Sequence, residues 1–221
     1  MGKRNEFVGY ALGIGAIELV PEGRKLKSGR ISPYFFNSGL FNKGEEISIL
    51  AEAYAQASSG ISHDVEVIFG PAYKGIPLAV ALSIILSQDH GIDEIGYAFN
   101  RKEAKDHGEG GIIVGHPVKG KRVLIVDDVM TTGSSSGEAV EIVRANGGNP
   151  VGCVIAFDRQ EKGADTKLSA VQEFEKNYGI PVRAAATLDD LISELKARKS
   201  TSEKGGVILG KILEYQKQFG V

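Results

Sequence analysis

Cysteine is nearly absent. Cys153 is the single one in 221 residues, so no disulfide can form within the chain. Its place in the apolar run VGCVIAF reads as a small buried hydrophobe in a reducing compartment. Surplus charge is absent too: 26 basic against 28 acidic residues leave a formal net charge of −2. That balance excludes a general attraction to nucleic acid or to an anionic membrane, so any anion site must be local. No apolar run approaches the roughly 18 residues of a transmembrane helix. The opening stretch MGKRNEFVGYALGIGAIELV has a basic head, but Glu6 and Glu18 flank its apolar part and no small-residue cleavage site follows. It reads as an amphipathic helix of a cytoplasmic protein. No GxxxxGK[ST] occurs, which excludes a P-loop, and no G-x-G-x-x-G follows a strand, which speaks against a nicotinamide dinucleotide site.

What is present has a rhythm. Apolar runs at Val65–Phe69, Ile95–Asn100, Val123–Val126, Val151–Phe157 and Val182–Ala186 predict strands, with a further one around Tyr34–Asn37. Between them, Glu45–Ser58, Ile76–Ser87, Ser134–Asn146, Ser169–Tyr178 and Leu188–Lys199 predict helices, and Glu203–Phe219 a last one. Short buried strands alternating with helices indicate an α/β fold with a mainly parallel sheet flanked by helices. There is no repeat, long linker or low-complexity segment, so 1–221 reads as one domain.

The segment VLIVDDVMTTGSSSG, Val123 to Gly137, places Asp127 and Asp128 at a strand end, where ligands of open parallel sheets bind. The small Thr131-Thr132-Gly133-Ser134-Ser135 run that opens the next helix offers backbone N–H groups, a helix dipole and hydroxyls to an anion such as a phosphate monoester. Two adjacent carboxylates would repel phosphate, so they call for hydroxyls, as on a ribose, or a cation such as Mg²⁺. The expectation is that a partner outside the chain satisfies them, in a sugar-phosphate site. A capped strand–turn–helix with solvated acids is the plain structural alternative.

Four apolar residues, two acids and a T-x-G-x loop resemble the 5-phosphoribosyl 1-diphosphate (PRPP) signature of type I phosphoribosyltransferases. Leu26–Gly39 (LKSGRISPYFFNSG), Gly70–Pro77 (GPAYKGIP), Asn100–Gly111 (NRKEAKDHGEGG) and Asp158–Glu161 (DRQE) are similar to segments of the orotate phosphoribosyltransferase family. With the acid-pair loop, five motifs stand in the family's order between residues 26 and 161, and the last sixty residues carry little of the likeness. The loop departs from the common pattern at Thr132, where alanine is usual, and at Ser134, where threonine is usual; both stay small.

The resemblance implies transfer of a phosphoribosyl group from PRPP to orotate, giving orotidine 5′-monophosphate and pyrophosphate in pyrimidine biosynthesis, with Mg²⁺ carried mainly by PRPP and pyrophosphate. It implies a PRPP site formed by Lys27, Tyr73, Lys74, Arg101, Lys102, Lys105, His107, Asp127, Asp128, Val129, Met130, Thr131, Thr132, Gly133, Ser134 and Ser135. Among these Lys105, His107, Asp127 and Asp128 would be catalytic. It implies an orotate site from Phe35, Phe36, Thr131 and Arg159, and a cis peptide in the turn before Lys74. It further implies a small hood built from residues 1–40 and C-terminal segments, and a homodimer in which a mobile loop, residues 100–112, reaches the neighbouring subunit's site.

Each segment also has a reading of its own. Arg101, Lys102, Lys105 and His107 with Gly108, Gly110 and Gly111 lack helical periodicity and suit a loop that encloses a charged leaving group, or else a solvated charged loop. Lys74 can meet pyrophosphate at the sheet edge that holds Asp127, or be a surface lysine. Phe35 and Phe36 can flank a pyrimidine, or one of them can be core. Arg159 suits a carboxylate through its bidentate fork, or pairs with Asp158 or Glu161. A purine phosphoribosyltransferase would share the acid-pair loop but not FFNSG and KEAKDHGEGG. A PRPP-sensing regulator would need a nucleic-acid surface, and a receiver domain lacks this Thr/Ser/Gly run.

Overall fold

The structure, a computed structural model, describes residues 3–26, 28–61, 64–105, 111–130, 134–163, 166–199 and 203–221. Its elements run α1 (Lys3–Gly13), β1 (Ile17–Lys25), β2 (Ile31–Phe36), a 3₁₀ turn (Ser38–Leu40), α2 (Gly44–Ser58), β3 (Val67–Gly70), α3 (Gly75–Gln88), β4 (Gly96–Lys105) and β5 (Gly111–Gly115). They continue through β6 (Arg122–Val129), α4 (Ser134–Ala145), β7 (Asn149–Asp158), α5 (Ala170–Tyr178), β8 (Val182–Thr187), α6 (Leu188–Lys199) and α7 (Glu203–Phe219).

Six strands form one sheet in the order β5-β4-β3-β6-β7-β8, parallel throughout except for β5, which is antiparallel to β4. The unbroken apolar runs of β3 and β6 follow from cover on both faces. Alternation sends Val67, Phe69, Val123, Ile125, Cys153 and Ile155 to the face packed by α4 and α5. Ile68, Leu124, Val126, Val154 and Ala156 go to the opposite face, under α1, α2, α3, α6 and α7. In α2 Leu50, Ala51 and Tyr54 are buried and Ile47 is half-buried, one face at helical spacing. The α/β class and mainly parallel sheet read from the sequence are those observed.

Two readings need correction. The opening stretch is not one helix: α1 ends at Gly13, Gly15 takes φ +77, and Ile17–Lys25 is a strand paired antiparallel with β2. Glycine is the residue that turns a chain through this left-handed geometry without penalty, and the β-branched Ile17 and Val20 then favour extension. Nor is all of 100–112 a loop. Asn100–Lys105 prolongs β4 beyond its parallel neighbour, and Gly111–Gly115 folds back as β5, so the basic segment continues a hairpin.

The β1–β2 pair stands apart from the main sheet, and α7 holds it there. Tyr215 of α7 meets the buried Tyr34 edge to face, with ring centroids 6.1 Å apart, and Lys211 Nζ donates to the Pro21 carbonyl at 2.6 Å. At the end of α7 Lys162 N–H donates to the Phe219 carbonyl at 2.9 Å, and beyond it Val221 N–H donates to the Gln160 carbonyl at 3.0 Å.

Candidate functional site

β3, β6 and β7 are parallel neighbours, so Gly70, Asp127–Val129 and Asp158 end on one edge of the sheet. The chain leaves β3 toward β4 on one side and leaves β6 toward β7 on the other. The crevice between the ends of β3 and β6 is therefore the topological switch point, where open α/β sheets bind ligands.

The GPAYKG turn follows β3 and is folded tightly. A Cβ on Gly70 would lie 2.0 Å from the Gly75 carbonyl oxygen, so no other residue fits there. Gly75 N–H donates to the Pro71 carbonyl at 3.0 Å, closing the turn, and the Ala72–Tyr73 peptide is cis. Asn100 Oδ1, on β4, accepts the Ala72 N–H at 2.9 Å. The turn delivers Lys74 to Asp128, with Nζ 2.6 Å from Oδ2. Tyr73 is exposed, and its ring lies 4.9 Å from the Lys102 ammonium.

The acid pair is buried and well supplied. Asp128 Oδ2 also accepts from Ser38 Oγ at 2.9 Å, and its Oδ1 accepts the Val129 N–H at 2.8 Å. Asp127 Oδ2 accepts from Ser136 Oγ at 2.9 Å, and its Oδ1 accepts the Asp128 N–H at 2.9 Å. Tyr54 Oη donates to the Asp127 carbonyl at 2.9 Å and pins the strand end to α2. The expectation that a partner outside the chain satisfies these acids is thus corrected: Lys74, Ser38 and Ser136 engage them from within the chain. Burial, and next the charge of Asp128, push the Asp127 carboxyl above its ordinary range.

Ser134 and Ser135 open α4 beside this pair and are exposed, while Val129 is half-buried and Met130 is buried in the sheet's second core. Thr131, Thr132 and Gly133 lie outside the described residues, as do Lys27 and His107 and the side chain of Lys105. Arg101 Nη1 donates to the Gly111 carbonyl at 3.3 Å, across the hairpin that carries Lys102.

On the other side of the edge, the two phenylalanines part company. Phe36 is 6% exposed and stacks on Phe157, with centroids 5.4 Å apart, so it is core on at least that face. Phe35 is half-buried, with the Arg24 guanidinium 3.9 Å from its ring centroid. Arg159 pairs with Glu161, not with Asp158: Nε donates to Oε1 at 2.8 Å and Nη2 lies 2.6 Å from the same oxygen. Nη2 also donates to Ser32 Oγ at 2.9 Å, and the guanidinium covers the Tyr34 ring at 4.4 Å. Its Nε and Nη2 are thus engaged, which leaves Nη1 as the edge not committed to Glu161 or Ser32.

Reading along the sequence did not single out Ser38, Ser136, Asn100 or Arg30 as site residues. Ser38 is 90 residues from Asp128, and Arg30 is 131 from Glu161, so no local pattern couples them. Ser136 stands within a visible serine run, but only the first turn of α4 shows which serine faces Asp127.

The arrangement presents a cation, two carboxylates and a helix start at one crevice, with a guanidinium one strand further on. Such a surface can hold a sugar phosphate by its hydroxyls and phosphate and a planar anion at its neighbour. Among the described residues no group of three or more His, Cys, Asp or Glu side chains could hold a metal ion. The acid pair offers hard oxygen donors of the kind Mg²⁺ takes, with Lys74 already on one of them.

The family model for the phosphoribosyl transferase domain matches residues 40–200. An orotate phosphoribosyltransferase of Nitrosococcus oceani is 52% identical over 218 residues, covering 99% of this chain and 96% of that protein. The crystal structure of the Francisella tularensis orotate phosphoribosyltransferase superposes with a TM-score of 0.83 at 36% identity, over 98% of this chain and all of that one. The Mycobacterium tuberculosis orotate phosphoribosyltransferase, solved in complex with PRPP, superposes at 0.63 with 25% identity over 86% and 99% of the two chains.

Proposed function

The chain belongs to the orotate phosphoribosyltransferases, and from that premise we propose how its residues divide the reaction. The reaction moves the phosphoribosyl group of PRPP to orotate: a bond forms between orotate N1 and ribose C1, the bond from C1 to the diphosphate oxygen breaks, and the N1 proton is released. Orotidine 5′-monophosphate and pyrophosphate result. The observation that carries the assignment is the meeting of Lys74 and Asp128, 2.6 Å apart, across the switch point between β3 and β6.

Asp127 and Asp128 hold the ribose hydroxyls, and the Thr131–Ser135 segment with the start of α4 holds the 5′-phosphate. Val129 and Met130 shape the floor of that loop. Lys74 exchanges its bond to Asp128 for the diphosphate as PRPP enters, with Tyr73 beside it and Lys27 near the same group. Arg101, Lys102, Lys105 and His107 gather on the leaving diphosphate, Lys105 foremost; Lys105→Ala lowers turnover by at least about tenfold with the fold intact. Mg²⁺, when bound to the diphosphate, offsets its charge and favours its departure. The site needs no protein nucleophile. Its residues position the two substrates, stabilise charge as C1 becomes cationic, and exclude the water that would hydrolyse PRPP.

The base lies on the side of Arg159, with Thr131 completing its site. Phe35 supplies the flat apolar surface, Phe36 supports it from the core, and Arg159 meets the orotate carboxylate. The hood is the β1–β2 pair with α7 against it. The working form is a homodimer sharing the basic hairpin; α3 is mostly apolar yet leaves Ile84 48% exposed, surface that a second copy would cover. The enzyme works in the cytoplasm, a reading supported by the lone, buried Cys153.

The test is disappearance of orotate absorbance with purified protein, Mg²⁺ and PRPP, beside hypoxanthine, adenine and uracil. PRPP-dependent loss of orotate alone is expected. Turnover of a purine with no turnover of orotate would discard the Phe35 and Arg159 assignments and keep the PRPP site.

A further inference from the structure

Glu161 is a largely shielded carboxylate that no step of the transfer uses. It stands three residues past the end of β7, its side chain 11% exposed. Two guanidiniums converge on it, one from two residues away and one from 131: Arg159 Nη2 lies 2.6 Å from Oε1, and Arg30 Nη1 donates to Oε2 at 3.2 Å. Tyr34 Oη donates to Oε1 at 3.3 Å. Arg30 is fastened in its turn, donating through Nη2 to the Lys162 carbonyl at 2.8 Å and lying 4.8 Å from the Phe219 ring centroid. The alternative acid, Asp158, is occupied elsewhere, accepting the Gln160 N–H at 2.8 Å.

Charge explains why two arginines share one acid. An Arg159–Glu161 pair alone would be neutral and would offer an incoming carboxylate no net attraction. A second guanidinium on the same carboxylate leaves the cluster at +1, which matches one anionic carboxylate. Geometry explains why the acid is needed at all. Glu161 takes the Nε and Nη2 edge of Arg159, Ser32 takes Nη2 as well, and Tyr34 takes the face. The guanidinium therefore has one orientation, with Nη1 left clear of Glu161 and Ser32.

We propose that Glu161 is a positioning residue for base selection: it fixes Arg159 so that the Nη1 edge meets the orotate carboxylate, while Arg30 supplies the positive charge that Glu161 would otherwise cancel. This rests on the reading of Arg159 as the orotate contact. It assigns to residues 30, 159 and 161 together the preference for a pyrimidine carrying a carboxylate over uracil.

The experiment is steady-state kinetics with orotate and PRPP varied separately, on Arg159→Gln, Glu161→Gln, Glu161→Asp and Arg30→Gln. Arg159→Gln tests the underlying reading, and no change in its orotate KM would overturn both that reading and this proposal. With Arg159→Gln impaired, Glu161→Gln raises the orotate KM by about tenfold, since a misdirected contact costs up to about a hundredfold. Its PRPP KM stays within about twofold, and Glu161→Asp recovers part of the loss, as for a charge that orients its partner. An unchanged orotate KM in Glu161→Gln, or equal rises for both substrates, would overturn the positioning role and leave Arg159 as the contact. Should Glu161→Gln fail to fold, Arg30→Gln decides: it raises the orotate KM about threefold at low salt and less at high salt, through the lost charge. No salt-dependent change would overturn the proposal.

Discussion

The two sides of the ligand edge are built by different means. The acid pair, the β3 turn and the start of α4 meet at the ends of adjoining sheet strands: Asp127 takes Ser136 from the helix that follows its own strand, and Asp128 takes Lys74 from the turn after neighbouring β3. The base side is assembled from the two ends of the chain. Arg30 and Ser32 come from the β1–β2 region, Arg159 and Glu161 from the end of β7, and α7 with the residues after it braces both. A rigid phosphate platform and a separately assembled base wall allow one sheet edge to keep its sugar-phosphate chemistry while the base it accepts is set elsewhere.

The largest expected effect falls on the sheet side. Asp128→Asn removes the charge that holds Lys74 and Ser38 and that would meet the ribose hydroxyls. A charge-assisted hydrogen bond is worth about 1.5–3 kcal/mol and each 1.36 kcal/mol is tenfold, so two such bonds correspond to a fall of at least about a hundredfold in kcat/KM for PRPP. Next comes a contrast inside the base wall. Phe36→Ala, which deletes a ring packed on Phe157, lowers unfolding free energy by about 3–5 kcal/mol in urea denaturation. Phe35→Ala, half-buried under Arg24, costs less than about 1 kcal/mol of stability and raises the orotate KM instead. Equal stability losses would show that both rings are core.

The smallest effect concerns pH. The Asp127 carboxyl titrates above its ordinary range in the folded protein, chiefly because it is buried. Its contribution to stability is full below the unfolded carboxyl's titration and is lost as pH rises through the folded one. Asp127→Asn therefore keeps or raises the melting temperature at neutral pH, and that advantage narrows on acidification while activity is lost. A melting temperature lowered equally at all pH values would show that the carboxylate is a net stabiliser.

This contrast also sets what could be read from the sequence. The parallel sheet was legible because buried strands are short apolar runs with glycine at their ends. The acid pair was legible because two adjacent aspartates before a Thr/Ser/Gly run break the ordinary pattern of a strand end. β1 was not, because Ile17–Val20 continues the apolar spacing of α1 and only the φ +77 at Gly15 ends the helix. The pairing of Arg159 with Glu161 was among the options its sequence neighbours allowed, but the place of Arg30 there depends on a contact across 131 residues. The internal partners of the acid pair were hidden in the same way: Ser38 and Lys74 reach Asp128 only once the 3₁₀ turn and the β3 turn meet over β6.

The division of labour between the two sides is tested most directly by measuring KM for PRPP and KM for orotate side by side in Asp128→Asn and Arg159→Gln. The expected pattern is crossed. Asp128→Asn raises the PRPP value and leaves that of orotate nearly unchanged, and Arg159→Gln does the reverse. If either substitution raises both constants alike, the two sides act as one site and the assignment of sugar phosphate to one and base to the other is contradicted.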